Sequence, residues 1–408
     1  MGLKAAPKPT FFIEENKLTV RYKYALNSYG KPVRTAEIYT KTEHPIQLED
    51  IDPDALFVCR KLRAAGYETY VVGGAIRDLL IGKKPKDFDV VTSAHPRIIK
   101  KVLPRSRIIG KRFRLVHVVC PGNKIVEVAT FRSDKTEDAN VFGTLEEDVR
   151  RRDFSCNALY YDPKEETIID HVDGVKDIKH RVLRNLIPLD RLFVEDPVRM
   201  IRAVKYAVLG DLKIGWGLGH KIRAQAQLLN TISPSRLTEE FYKILLSGKS
   251  SKLFDELYRY ELVKYFLPNL HQNYGKIKER FHASLKVLDQ AVLDASPEQP
   301  LERNDAFCLM LEGILLAMGQ KELATKEFFD LQIDWIKNFF RPIVPSNREC
   351  DLSLRALYKL WNVRAPKPRL ILTKALQATT PASETSKNPQ KRKRRRRKKT
   401  SVPSPDSS

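Results

Sequence analysis

The chain has 408 residues, of which 42% are hydrophobic, so it is long enough for more than one domain with a real core. Its formal net charge is +23, and removing the nine consecutive cations Lys391–Lys399 from that still leaves +14, so body and tail alike suit a polyanionic partner. No run of 18 apolar residues exists, which argues against a helical membrane span. Five scattered cysteines without a CxxC pair argue against a disulfide scaffold and read as reduced thiols of a cytoplasmic protein. Met1-Gly2-Leu3-Lys4 lacks the apolar stretch of a signal peptide, and Ala stands at position 6, where myristoylation wants Ser or Thr.

Residues 1–50 are polar and hold Pro7, Pro9, Pro32 and Pro45, and they read as an extension of the fold. Near Asp54 a helical pattern begins, with Leu56, Cys59, Leu62 and Ala65 at helical spacing, and it stops at Gly66. A strand, Glu68 to Val72, and a short helix, Ala75 to Leu80, follow. A second strand carries Asp87 and Asp89 and ends by Thr92, and Pro96 to Val102 reads as helix. Two alternating runs, Phe113 to Cys120 and Lys124 to Phe131, are joined by Pro121-Gly122-Asn123 as a hairpin. Ser133 to Asn140 is polar. From Glu195 the strand signals fade and helical patterns dominate to about Leu376. Beyond it Ala, Thr, Ser, Pro and Lys prevail, a composition that cannot bury enough apolar surface to order itself. The expected class is α+β: a small mixed β-sheet head followed by an all-helical remainder.

The chemistry concentrates in Gly73-Gly74-Ala75-Ile76-Arg77-Asp78 and Lys86-Asp87-Phe88-Asp89. A Gly-Gly turn lets a phosphate approach the backbone, because no Cβ blocks it. Two carboxylates two residues apart on a strand point to one face, which suits two hard cations facing a triphosphate. Asp87 and Asp89 would hold both metals, and Gly73 and Gly74 would admit the triphosphate. Arg77 could touch it or brace the loop through Asp78. A third acid is expected. Glu127 is a lone acid on an apolar strand, costly if it points inward unless paired or metal-bound, although alternation equally allows the solvent face. Asp153 is its competitor.

Three further blocks follow. In Arg151-Arg152-Asp153-Phe154-Ser155-Cys156-Asn157, adjacent arginines suit phosphate, and Asn157 offers a donor and an acceptor to a ribose hydroxyl. In Glu195-Asp196-Pro197-Val198-Arg199-Met200-Ile201-Arg202, Pro197 starts a helix and Asp196 shares a face with Arg199. A carboxylate and a guanidinium fork can together read the hydrogen-bonding edge of a base. Ser233 to Lys243 reads as a capped amphipathic helix in which Arg236 and Lys243 could approach phosphate or RNA.

These four blocks, in this order over about residues 54–270, resemble the class II nucleotidyltransferases, the family of bacterial poly(A) polymerases and CCA-adding tRNA nucleotidyltransferases. The stretches Ile109–Val118, Glu127–Arg132 and Glu195–Arg199, with the Arg/Lys-rich tail, look more like the poly(A) polymerases. Ser155 in place of Thr, Lys111 in place of Arg and Lys205-Tyr206 in place of Arg-Phe depart from the family pattern, and Ser133–Asn140 is shorter and lacks arginines.

The resemblance implies an extension at 1–50, a catalytic head at 51–185, and a helical neck for base and RNA recognition at 186–250. A helical RNA-binding body at 251–376 and a disordered basic tail at 377–408 would follow. It implies Asp87, Asp89 and Asp153 as catalytic acids, with the metals on Asp87, Asp89 and Glu127. Nucleotide binding would fall to Gly73, Gly74, Arg77, Arg151, Arg152, Asn157, Asp196, Arg199 and Arg202. RNA contact would fall to Arg112, Arg114, Arg236 and the tail Lys391, Arg392, Lys393, Arg394, Arg395, Arg396, Arg397, Lys398 and Lys399, the tail acting by counterion release. The expected reaction is template-independent addition of AMP from ATP to RNA 3′ ends with two Mg2+ ions, marking RNA for decay, with RNA-decay proteins as possible partners. CCA addition to tRNA is the close alternative. A catalytically silent RNA-binding protein is the alternative from another class, and the intact Asp87, Asp89 and Asp153 weigh against it.

Overall fold

The computed structural model describes residues 21–26, 29–110, 115–134, 141–296 and 299–367. Among them nine strands form one sheet. They are β1 (Arg21–Leu26), β2 (Pro32–Tyr39), β3 (Thr69–Val72), β4 (Asp89–Thr92), β5 (Ser106–Ile109), β6 (Leu115–Val119), β7 (Ile125–Thr130), β8 (Leu159–Asp162) and β9 (Thr167–Asp170). Their spatial order is β1-β2-β9-β8-β3-β4-β7-β6-β5, and the β4–β7 pair is parallel while its neighbours are antiparallel. The sheet is therefore mixed, as expected. Residues 21–39, read from sequence as part of an extension, supply its strands β1 and β2. The predicted hairpin is present, with Gly122 and Asn123 at positive φ between β6 and β7.

Alternation along the strands sends side chains to two cores. Val71, Val90 and Val128 enter the larger core, which the helices cover. Tyr70, Val72, Val91 and Tyr160 face the opposite side, over which Leu145 and Val149 are laid. With both faces covered, the central strands read as near-continuous apolar runs, and all four residues of β3 are buried.

The helices within the sheet region are α1 (Pro53–Ala64), α2 (Gly74–Leu80), α3 (Pro96–Val102), α4 (Leu145–Arg150) and α5 (Gly174–Lys179). Asp52 caps α1 by accepting from the Asp54 amide at 2.8 Å, and a reciprocal Thr144–Glu147 box caps α4. A short strand β10 (Val182–Leu183) pairs parallel with β11 (Lys213–Ile214) and ties this region to the helices that follow. Those are α6 (Leu189–Glu195), α7 (Val198–Gly210), α8 (Trp216–Gln225), α9 (Pro234–Leu245) and α10 (Ser250–Arg259). Then come α11 (Val263–Phe266), α12 (Pro268–Gln272), α13 (Tyr274–Asp294), α14 (Arg303–Ala317), α15 (Phe329–Phe339) and α16 (Asn347–Leu360). The long α13 and α14 pack backbone to backbone at Gly313, where a Cβ would stand 2.4 Å from the Arg280 carbonyl oxygen.

Lysines satisfy carbonyls at helix ends, two of them from the sheet region and one from the start of α10. Lys83 donates to the Leu209 carbonyl, Lys249 to Val208 O at 3.1 Å and Lys86 to Leu246 O at 2.6 Å. The buried Lys205–Glu240 ion pair joins α7 to α9. No helix among the described residues is long and apolar enough to cross a membrane.

Candidate active site

The turn from β3 into α2 comes first. Gly73 has φ +82°, a conformation L side chains rarely adopt, and a Cβ there would lie 3.7 Å from Asp89 Oδ2. The cross-strand register pairs Val72 with Asp89, so the Gly-Gly turn and the first acid of β4 are neighbours. Arg77 does not reach outward. It is buried, donates to Asp78 Oδ1 at 2.9 and 2.8 Å and to Asn157 Oδ1 at 2.7 Å, and lies over the Tyr206 ring. Of the two roles open to Arg77, the structure gives it the brace.

The acids divide into two groups. Asp87 precedes β4 and is exposed, and Asp89 opens the strand at the same mouth. The parallel register Val90↔Val128 sets Asp89 beside Glu127, one residue earlier on each strand. Asp89 and Glu127 share the sheet face of Val91 and Ala129, and Glu127 remains half open to solvent, 3.3 Å from His117 Nε2. Asp89 is exposed at the strand end, but desolvation of its carboxyl by nearby protein pushes its pKa up to about 6, with the charges of Glu127 and Asp87 adding to the shift while Arg152 and Lys243 oppose it.

Asp153 pairs with arginines instead. Its Oδ1 accepts from Arg199 Nε at 2.8 Å and its Oδ2 pairs with Arg202 Nη2 at 2.9 Å, and it is buried. It acts here as the shared counter-ion of two arginines that α7 presents.

The remaining nucleotide-binding candidates gather around this pair. Arg152 is an internal strut, donating to Asp148 Oδ2 at 3.2 and 3.0 Å, to the Tyr160 hydroxyl at 2.8 Å and to the Asn157 carbonyl at 3.0 Å. Arg151 donates to Ser133 O at 2.5 Å. Asn157 thus offers its acceptor to Arg77 rather than to solvent. Arg199 also donates to Leu192 O at 3.0 Å and to Glu195 Oε2 at 3.1 Å, which stiffens the α6–α7 corner. Asp196 pairs with Arg236 rather than with Arg199: its Oδ1 accepts the Val198 amide at 3.3 Å and its Oδ2 accepts from Arg236 Nη2 at 2.7 Å. Arg236, read from sequence as an RNA contact, is therefore the partner of the base-reading acid.

One group enters the site that sequence reasoning did not assign, Tyr206, and Lys243, read from sequence as a phosphate or RNA contact, enters it beside an acid. Tyr206 lies under both Arg77 and Arg202, and Lys243 on α9 stands within electrostatic reach of Asp89. Helical spacing alone could have put Arg236 and Lys243 two turns apart on one face of α9, but not against the sheet. Arg112, Arg114, Lys111, residues 135–140 and the tail Lys391–Lys399 lie outside the described residues.

A divalent cation fits the acids chemically. Among the described residues no three His, Cys, Asp or Glu side chains converge as a metal cage. Mg2+ does not need one, since it is held by one or two carboxylates together with substrate phosphates. The Asp89 pKa is raised first by desolvation and then by the neighbouring Glu127 and Asp87 carboxylates, whose charge a bound cation would offset.

Comparison with known proteins follows this geometry. Residues 69–184 match the family model described as "Poly A polymerase head domain", and residues 219–273 match "Probable RNA and SrmB- binding site of polymerase A". The chain is 39% identical over 306 residues to Poly(A) polymerase I of Salmonella typhi, covering 70% of this chain and 65% of that protein. It is 36% identical over 324 residues to Poly(A) polymerase I of Escherichia coli O6:H1, covering 68% of this chain and 70% of that protein. Among solved structures it resembles the Bacillus stearothermophilus CCA-adding enzyme in complex with CTP, at 27% identity and a TM-score of 0.51 over 76% of this chain and 83% of that one. The chain spans 65% of the length of the Salmonella relative.

Proposed function

This chain belongs to the poly(A) polymerase family, and on that premise we propose that it extends RNA 3′ ends with adenylate from ATP. The observation that carries the reading is the Gly73-Gly74 turn placed against Asp89, with Asp87 and Glu127 at the same mouth. The RNA 3′-hydroxyl oxygen would form a bond to the α-phosphorus of ATP, the bond to the β-phosphate would break, and pyrophosphate would leave. Asp87 and Asp89, with Glu127 beside them, would hold Mg2+, which when bound activates the hydroxyl and offsets charge on the leaving group.

The chain's own residues supply the rest. The Gly-Gly turn admits the triphosphate, since its positive φ at Gly73 suits glycine and no side chain stands between the backbone and the Asp89 carboxylate. Arg199 and Arg202, oriented by Asp153, face the nucleotide from the neck. Asp196, held by Arg236, supplies a fixed acceptor for the amino edge of adenine, and Arg199 supplies donors. No nucleic-acid template is needed for that choice. The basic body and the tail Lys391–Lys399 would hold RNA by its phosphates.

The test is a primer-extension gel with the full chain, magnesium, oligo(A) and a tRNA lacking its 3′ end, with ATP and CTP supplied separately and together. A long ladder on oligo(A) with ATP alone supports polyadenylation. The likeness to the CTP-bound CCA-adding enzyme favours one second reading, CCA addition. Three discrete additions to the tRNA that require CTP would establish it instead.

A further inference from the structure

Trp216 opens α8 with 86% of its surface exposed, an unusual position for a side chain of that size. Gly215 and Gly217 flank it, so neither sequence neighbour places a side chain beside the indole. The His220 ring lies nearly parallel to it one turn on, with centroids 5.5 Å apart and planes 14° apart. The surrounding sequence is basic: from Leu212 to Thr238 there is no Asp or Glu, while Lys213, Lys221, Arg223 and Arg236 fall within it. Lys213 and Arg223 are exposed. The segment matched to an RNA-binding family begins three residues beyond Trp216.

We propose that Trp216, backed by His220, is a stacking platform for an unpaired base of the RNA strand that leads to the active site. The proposal rests on the reading above that the chain acts on RNA. Indole faces accept any base, and cations alongside hold the phosphates, which is the pattern of sequence-tolerant single-strand binding. The location suits it. Gly217 packs toward Leu189 at the start of α6, and α6 runs to Glu195, next to Asp196. Seven helical residues span about 10 Å, or about three stacked nucleotides. The platform therefore takes a base a few positions upstream of the 3′ end rather than the incoming nucleotide.

The experiment uses the full chain without ATP and fluorescein-labelled single-stranded oligo(A), read by anisotropy, for wild type, Trp216→Ala and Trp216→Phe. Trp216→Ala is expected to weaken binding roughly tenfold, and Trp216→Phe to keep most of it. Oligo(A) is expected to quench the indole emission of wild type and to leave that of Trp216→Phe, which retains Trp335 and Trp361, nearly unchanged. On primers of three nucleotides or fewer, ATP incorporation by Trp216→Ala should match wild type, and the advantage of longer primers should shrink. Unchanged oligo(A) affinity in Trp216→Ala overturns the proposal. So does a wild type that dimerises through this face while Trp216→Ala is monomeric and binds RNA equally well. If wild type binds and is quenched but incorporates no nucleotide, the polymerase reading fails and the platform stands.

Discussion

Arg236 Nη2 stands 2.7 Å from Asp196 Oδ2, joining α9 to the corner between α6 and α7 across 40 residues of sequence. The pair is only partly exposed, and its geometry fixes the direction in which the Asp196 carboxylate faces. Arg236→Ala should free that carboxylate. A hydrogen bond to a charged group contributes about 1.5 kcal/mol, so the preference for ATP over CTP should fall roughly tenfold. Arg236→Lys should restore only part of it. Steady-state kcat/KM for the two nucleotides checks this, and an unchanged ratio would remove Arg236 from base selection.

Asp153 separates a structural role from a catalytic one. Asp153→Asn should strand two guanidinium groups in a buried setting and destabilise the fold by about 3 kcal/mol. Urea denaturation measures the loss. A stability within about 0.5 kcal/mol of wild type, the size of an ordinary surface substitution, would mean the pairs contribute little.

Asp89→Asn should reduce nucleotide incorporation by about a thousandfold, the scale of a lost metal-holding carboxylate. Its effect on stability has the opposite sign. Folding raises the Asp89 pKa to about 6, so the folded protein favours the protonated form, and ionisation above that pH costs stability. The neutral amide removes that cost. In EDTA at pH 7.5 the variant should melt higher than wild type, and a lower melting temperature would contradict the charge arrangement described here.

Gly73→Ala places a side chain at φ +82° beside Asp89. The strain should cost about 1–3 kcal/mol. KM for ATP should rise as well, because the added methyl enters the approach to the carboxylate. Thermal denaturation and initial rates read the two effects separately, and Gly66→Ala, at φ +88° in open space, is the control for strain without crowding.

Glu37 on β2 gives a pH prediction remote from the site. Burial raises its pKa, but hydrogen bonds from Lys176 and the Tyr39 hydroxyl, with the charges of Lys176 and Arg34, outweigh that and hold it below the usual glutamate range. The stability it contributes is present above the ordinary glutamate pKa and is lost as pH falls through the lower folded value. Glu37→Gln should therefore lower the melting temperature at pH 7 and flatten its decline below about pH 4.5. Parallel curves for the two proteins would refute the linkage.

Much of the site was legible because its key features are local. Gly73-Gly74 and Asp87-x-Asp89 lie within seventeen residues, and a turn followed by a strand brings them together whatever surrounds them. Glu127 was half legible. Alternation left its face open, and only the parallel pairing of β4 with β7 sets it beside Asp89. The arginine blocks were legible as charge but not as roles. Arg77 became an internal brace because its partner Asn157 arrives from 80 residues away, and Arg152 because folding buries it with its i,i+4 partner Asp148 and the Tyr160 hydroxyl. Strands β1 and β2 were missed because β1 and the start of β2 are exposed, so neither shows the buried apolar run that marks a strand.

By itself the sequence determined the chemistry on offer: a phosphate-admitting turn, a pair of carboxylates, runs of guanidinium groups and a basic chain, all set by residue type and short spacing. Only the tertiary structure decided which cation answers which carboxylate. Asp153 went to Arg199 and Arg202, Asp196 to Arg236, and Asp89 was left facing Glu127. Ion pairing depends on distances of a few ångströms between residues tens of positions apart, and those distances are fixed by strand register and helix packing rather than by spacing along the chain.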